Sequence, residues 1–161
     1  MFREMRRKNQ ILSQEESIAI LQNGTTGTLA VLGDDDYPYA IPINYFYQDN
    51  KIYFHGAKAG HKIDAIKKHN KVSFSVIAQD DIVSEKLTTY FKSVVAFGTA
   101  RMIEDDAEKR SVMEKLTAKF APDQPEQKRS EEITTQFAAL GIIEMTIEHI
   151  TGKQALELTK K

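Results

Sequence analysis

The segment Phe54-His55-Gly56-Ala57-Lys58-Ala59-Gly60-His61-Lys62 concentrates the residue types best suited to chemistry. Small residues, two glycines and the side chains of Lys58, His61 and Lys62 stand where a strand pattern gives way to a helix pattern. A helix start carries backbone N–H groups without intrahelical acceptors and a partial positive charge, and a neighbouring cation favours a dianion further. The segment is therefore a candidate phosphate cradle. It lacks the GxxxxGK[ST] spacing of nucleotide hydrolases, because Ile63 follows Lys62 and no hydroxyl is in place for Mg²⁺. An ordinary glycine-containing surface turn is the competing reading of the same residues.

Tyr37-Pro38-Tyr39-Ala40-Ile41-Pro42-Ile43-Asn44-Tyr45 is the second candidate. Pro42 cannot donate a ladder hydrogen bond, so it marks an edge, a bulge or a rim where a planar ligand could replace a neighbouring strand. A plain edge strand with aromatic core residues accounts for the pattern equally. The histidines His55, His61, His69 and His149 form no HExxH pair, and cysteine is absent, so no metal site is expected. No GxSxG elbow exists, which ranks hydrolysis low.

These residues need elements to hold them. Ser13-Gln14-Glu15-Glu16 has capping-box spacing and opens a helix over 14–22 that ends near Asn23-Gly24. Residues 28–32, 39–47 and 51–55 read as a meander of three antiparallel strands, with turns at Gly33-Asp34-Asp35-Asp36 and Gln48-Asp49-Asn50. A helix carrying Ile63, Ala65 and Ile66 follows the cradle. Residues 71–77 alternate as a strand, 79–88 read as a polar loop, and 90–102 form a long strand with a bulge or close approach at Gly98. Helices are expected over 105–120 and 131–140, separated by the breaker Ala121-Pro122-Asp123-Gln124-Pro125, and 142–147 form the last core strand. The result is a mainly β, α+β fold: a small antiparallel barrel with peripheral helices, in one domain over 1–161.

With 161 residues, 41% hydrophobic and 28% charged, the composition is that of an ordinary globular domain. A net charge of −1 gives no general attraction to nucleic acid. No apolar run approaches the ~20 residues of a membrane helix, and the start lacks a signal peptide's apolar stretch, so a cytoplasmic location is expected. Arg3, Arg6, Arg7 and Lys8 read as a solvated helix start in preference to a contact for an acidic partner.

Several motifs in order resemble one family: Met5-Arg6-Arg7-Lys8, Tyr37-Pro38-Tyr39, Lys51-Ile52-Tyr53-Phe54-His55, Gly60-His61-Lys62, Lys71-Val72-Ser73-Phe74 and the run Thr89 to Gly98. End to end, the chain is similar to the nitroimidazole-resistance (Nim) branch of the pyridoxamine 5'-phosphate oxidase-related FMN-binding split-barrel proteins. The resemblance implies a six-stranded split barrel that dimerises and binds FMN at sites shared between subunits. It implies that His61 and Lys62 meet the phosphate, with Gly60 and Ala59 leaving room, and that His55 and Gly56 border the ribityl chain. Ile41, Pro42, Ile43 and Asn44 would lie along the flavin ring. Lys92, Ser93 and Val94 would come from the partner subunit, and Lys153 would reach the site. The implied activity is reduction of small nitroaromatic compounds of the nitroimidazole type to amines, with His61 as the catalytic residue. Pyridoxamine phosphate oxidation is not expected, since that enzyme's Arg-Lys pair is His61-Lys62 here, and a histidine lacks arginine's fixed bidentate fork. Flavin binding without turnover, and haem binding through His55, His61 or His149, are the rival readings.

Overall fold

The computed structural model describes residues 1–159. Its seven strands are β1 (Thr26–Leu32), β2 (Pro38–Asn44), β3 (Phe46–Gln48), β4 (Lys51–Ala57), β5 (Lys71–Val83), β6 (Thr88–Met102) and β7 (Leu140–Gln154). The helices are α1 (Gln14–Asn23), α2 (His61–Lys68), α3 (Asp106–Phe120) and α4 (Glu126–Gln136). All strand pairs are antiparallel, in the order β2-β1-β5-β6-β7-β4-β3.

That order forces closure. β2 and β3 occupy opposite edges of the sheet, yet Tyr45 alone joins them. In a flat sheet the two edges would lie roughly 29 Å apart, at ~4.8 Å per strand spacing, whereas the two Cα–Cα steps from Asn44 through Tyr45 to Phe46 reach at most ~7.6 Å. The sheet must therefore curl into a barrel with Tyr45 at the seam. Tyr45 is fully buried, its ring meets Phe74 edge-on at 4.9 Å, and its N–H donates to the Thr25 carbonyl at 3.2 Å. Burial also pushes its phenol well above the ordinary tyrosine range. The expected three-strand meander is corrected here: β1 pairs with β2 and β3 with β4, but residues 39–47 break at Tyr45 and serve both edges.

Alternation builds the interior. Leu29, Val31, Phe54, Phe74, Val76, Val94, Ala96 and Met145 face inward, joined by Ile63, Ala65 and Ile66 of α2. A second cluster of Ile103, Val112, Met113, Ile133 and Ile142 lies beneath α3 and α4. Neighbouring Ile142 and Ile143 thus point to different cores, which is why β7 reads as a continuous apolar run. Next to them in β7, Glu144 is buried, bonded to Arg101 at 3.0 Å and Lys51 at 3.2 Å. Burial alone would raise its carboxyl, but the two cations outweigh it and hold Glu144 below the usual carboxylate value.

The capping box at Ser13 and Glu16 forms as expected. So does the bulge at Gly98, where the β6–β7 register shifts and a Cβ would come within 1.9 Å of the Thr146 carbonyl oxygen. Two expectations are corrected. Only residues 84–87 of the expected 79–88 loop are a turn: past a bulge at Ile77/Gln79, β5 and β6 continue pairing to Val83 and Thr88. Both faces of this arm are open to solvent, Ile82 and Leu87 included, so no polar–apolar alternation marks it as strand. The helix expected over 131–140 runs instead from Glu126 to Gln136, because Pro125 suits a helix start as well as it breaks a helix interior. Among the described residues, no helix is long and apolar enough to cross a membrane.

Candidate functional site

β4 delivers His55 and Gly56 to one end of the barrel, and the chain turns through Lys58, Ala59 and Gly60 into α2. Gly60 adopts φ 138°, which L side chains rarely tolerate, and a Cβ there would meet nothing within 4 Å. No side chain caps α2. Its first-turn N–H groups lie at the positive end of the helix dipole without a capping side chain among the described residues. Ile63, Ala65 and Ile66, buried on the inner side, fix this helix.

Lys62 is half-buried and crosses toward β4: a Cβ added at Gly56 would lie 3.5 Å from its Nζ. His55 keeps solvent access, but the protein around it, and secondarily the Lys62 ammonium, hold its imidazole below the ordinary histidine value. His55, Gly56 and Ala57 also border an open cleft of about 460 Å³ whose far wall is Thr135, Gln136, Ala139 and Leu140.

His61 points to the other side of the helix start. Its ring stacks on Tyr39 at 4.2 Å, and Nε2 accepts the Asp34 N–H at 3.3 Å, with Asp34 Oδ2 at 3.9 Å. An accepting Nε2 assigns the proton of the neutral ring to Nδ1. Sequence reasoning missed the partners Asp34 and Tyr39, since the β1–β2 turn lies far from α2 in the chain.

β2 is an edge strand, as the proline pattern allowed. Ile41 and Ile43 lean on the core, while Pro42 and Asn44 face out, the Asn44 amide donating to Thr25 O and Thr26 Oγ1. The remaining predicted residues lie elsewhere. Ser93 pairs with Lys153 and Lys92 with Gln154, near the opposite end of the barrel. The α2 end lies level with Thr99, which pairs with Lys71, and Ser93 is roughly 20 Å from it along the strand. Val94 turns its side chain fully into the core, leaving only its backbone available.

Near Ser93 and Lys153 the structure shows a feature the sequence reading gave to solvent. Residues 1–13 contain one short 3-10 turn, Lys8–Gln10, not a helix start, and the segment is laid along β7. Arg6 and Arg7 line a cavity of about 430 Å³ with Met5, Gln10, Phe91, Ser93, Val95, Thr151 and Lys153. The basic run was the available signal; what it faces depends on contacts with residues 91–95 and 151–153.

One buried side-chain atom among the described residues lacks a hydrogen-bond partner: Nε2 of His149, whose ring stacks on Phe2 at 4.7 Å. Among those residues, no group of His, Asp or Glu is arranged to hold a metal ion.

The family model for pyridoxamine 5'-phosphate oxidase matches residues 13–154. No curated protein matches the sequence. Among solved structures, the conserved hypothetical protein Rv2991 from Mycobacterium tuberculosis superimposes with a TM-score of 0.82 at 16% identity, covering 98% of this chain and 94% of that one. A proposed 5-nitroimidazole antibiotic resistance protein from Bacteroides thetaiotaomicron gives 0.73 at 18% identity, with 89% and 86% covered. The FAD- and haem-binding protein from Mycobacterium smegmatis gives 0.74 at 23% identity, with 92% and 74% covered. At such identities the likeness is one of fold.

Proposed function

The chain belongs to the pyridoxamine 5'-phosphate oxidase family, and from that premise we propose that it is a dimeric FMN-binding protein that reduces small nitroaromatic compounds of the nitroimidazole type to amines. The observation that carries the reading is the uncapped start of α2, with Gly60 open to its surroundings and Lys62 alongside. A phosphate there would meet free N–H donors, the helix dipole and an ammonium together. Lys62, Gly60 and Ala59 hold the phosphate end, His55 and Gly56 border the chain that carries it, and the outer edge of β2 at Pro42 offers backbone to the ring. Bound flavin would relay electrons in pairs from an external reductant, reduced nicotinamide, to the nitro group, whose full reduction takes six electrons and six protons and releases two waters.

The dimer is supported by the spread of these residues. Lys92, Ser93 and Lys153 are too far along the barrel from α2 to share one phosphate with Lys62. A second copy can bring them to the same ligand. His61 positions the β1–β2 turn through Asp34, and its Nδ1–H is the proton it has to offer. The cytoplasm is the proposed location.

The first test is the absorption spectrum of the purified protein with identification of what heat releases from it. Released FMN supports the reading, and a protein that stays colourless with added FMN removes it. Consumption of reduced nicotinamide with a nitroimidazole, unchanged by added protein, would leave a flavin binder without this activity. Haem is the second reading: it has the unpartnered Nε2 of His149 in its favour, and a Soret band would establish it.

A further inference from the structure

We propose that the cavity between the N-terminal segment and β6–β7 is a seat for a small organic carboxylate carried on a planar apolar body. Three cations, Arg6, Arg7 and Lys153, line it, and none of the described lining residues is acidic. Among the described residues, neither arginine has an ion pair or hydrogen bond from its side chain, and Lys153 has the ring of Phe91 at 5.6 Å and no ion pair. The same segment does pair the next cation, Lys8, with Glu4 at 3.1 Å. The chain thus leaves unmatched those of its cations that border the cavity. Bringing like charges together without an acid costs free energy that an incoming anion returns.

The segment is fastened. Gln10 is buried and its amide donates to the Gln154 carbonyl at 2.8 Å, the Leu12 N–H donates to Gly152 O at 2.9 Å, and Ile11 bridges Lys153. The Arg7 carbonyl accepts the Gln10 N–H at 3.1 Å, which fixes the backbone beside the cavity. Ser93 and Thr151 add hydroxyl donors, and Phe91, Val95 and Met5 supply apolar wall. About 430 Å³ suits a ligand of one ring with an acidic substituent. Ser93 and Lys153 also belong to the proposed flavin site, so in that reading the anion is the reductase's substrate; binding itself needs no flavin.

Titration calorimetry of the full chain with 4-nitrobenzoate and its neutral isostere 4-nitrobenzamide, with and without FMN, tests the seat. The benzoate should bind at least about tenfold more tightly than the amide, as expected for charged hydrogen bonds. That preference should fall to within about twofold in the Arg6→Gln/Arg7→Gln variant and shrink with added salt. Both arginines are exposed, so an unchanged melting temperature certifies the variant's fold. Equal affinities for the two compounds, or a preference that survives the double substitution, would overturn the inference. So would a variant that loses FMN but not riboflavin affinity while holding 4-nitrobenzoate as before, since its cations would then serve the cofactor's phosphate. Failure of the flavin reading shows separately, as absent FMN and absent turnover, with the calorimetry still readable.

Discussion

Charge is gathered twice in this molecule, and the two gatherings are arranged in opposite ways. Around Glu144 one buried carboxylate receives two cations, Arg101 and Lys51, and Arg101 also holds Glu108 at 2.7 Å. Around the N-terminal cavity three cations share one lining, with no acid among the described residues that form it. The first arrangement is complete within the chain and joins β4, β6 and β7. The second is complete only with something from outside. Lys62 belongs with the second kind, since it has no ion pair among the described residues and lies beside an uncapped helix start. Matched charge therefore marks what builds the fold, and unmatched charge marks where a ligand is expected.

Substitutions separate the two kinds. Lys62→Ala should leave the melting temperature nearly unchanged and weaken FMN binding by about 2–3 kcal/mol, with much less effect on riboflavin, which lacks the phosphate. Equal losses for both flavins would move Lys62 out of the phosphate role. On the matched side, Glu144→Gln should cost about 2 kcal/mol at neutral pH, because Arg101 and Lys51 lose their partner while staying partly hydrated. Glu144 is held below its unfolded value. Its stabilisation is therefore full above about pH 4.3 and is lost as pH falls through the lowered native value. Denaturation curves of the two proteins should converge only in acid; a constant difference down to pH 3 would contradict the ion cluster.

Gln10→Ala should release the N-terminal segment at a cost of about 1 kcal/mol and speed hydrogen exchange at the Leu12 N–H, while α2 exchange stays as before. Unchanged exchange at Leu12 would show that the segment is held by other contacts. The smallest effect is expected for His55 on the ligand side. Its value is lowered by burial and by Lys62, so a dianion beside Lys62 should raise it, and NMR titration with and without FMN should show that upward move. No move would separate His55 from the phosphate.

The legibility of these regions follows their distance in sequence. The α2 cradle could be read because Gly56, Gly60 and Lys62 are neighbours in the chain and their meaning is local: a strand, a tight turn, a helix start. The side of that helix taken by His61 could not be read, because Tyr39 and Asp34 meet it only through the barrel. The N-terminal cavity draws on three stretches separated by most of the chain, and an Arg-Arg pair in isolation fits solvent as well as it fits a ligand. Strands with one buried face announced themselves by alternation, whereas the β5–β6 arm, wet on both faces, did not. Pro125 carried a true signal, but a proline terminates one element and begins the next, and only packing against Val112 and Met113 decides where α4 lies.

The single-residue seam at Tyr45 also orders the assembly of the chain. β2 and β3 are consecutive in synthesis but belong to opposite rims of the sheet, so the local hairpins β1–β2 and β3–β4 can form early without touching each other's final neighbours. Tyr45 keeps them side by side throughout, but the sheet links β1 to β4 the long way round only once β5, β6 and β7 have filled the space between those two strands. Closure of the hoop is then a late, non-local event of the kind that slows folding, and a nascent chain stopped before β7 would carry two finished clasps and no band to fasten.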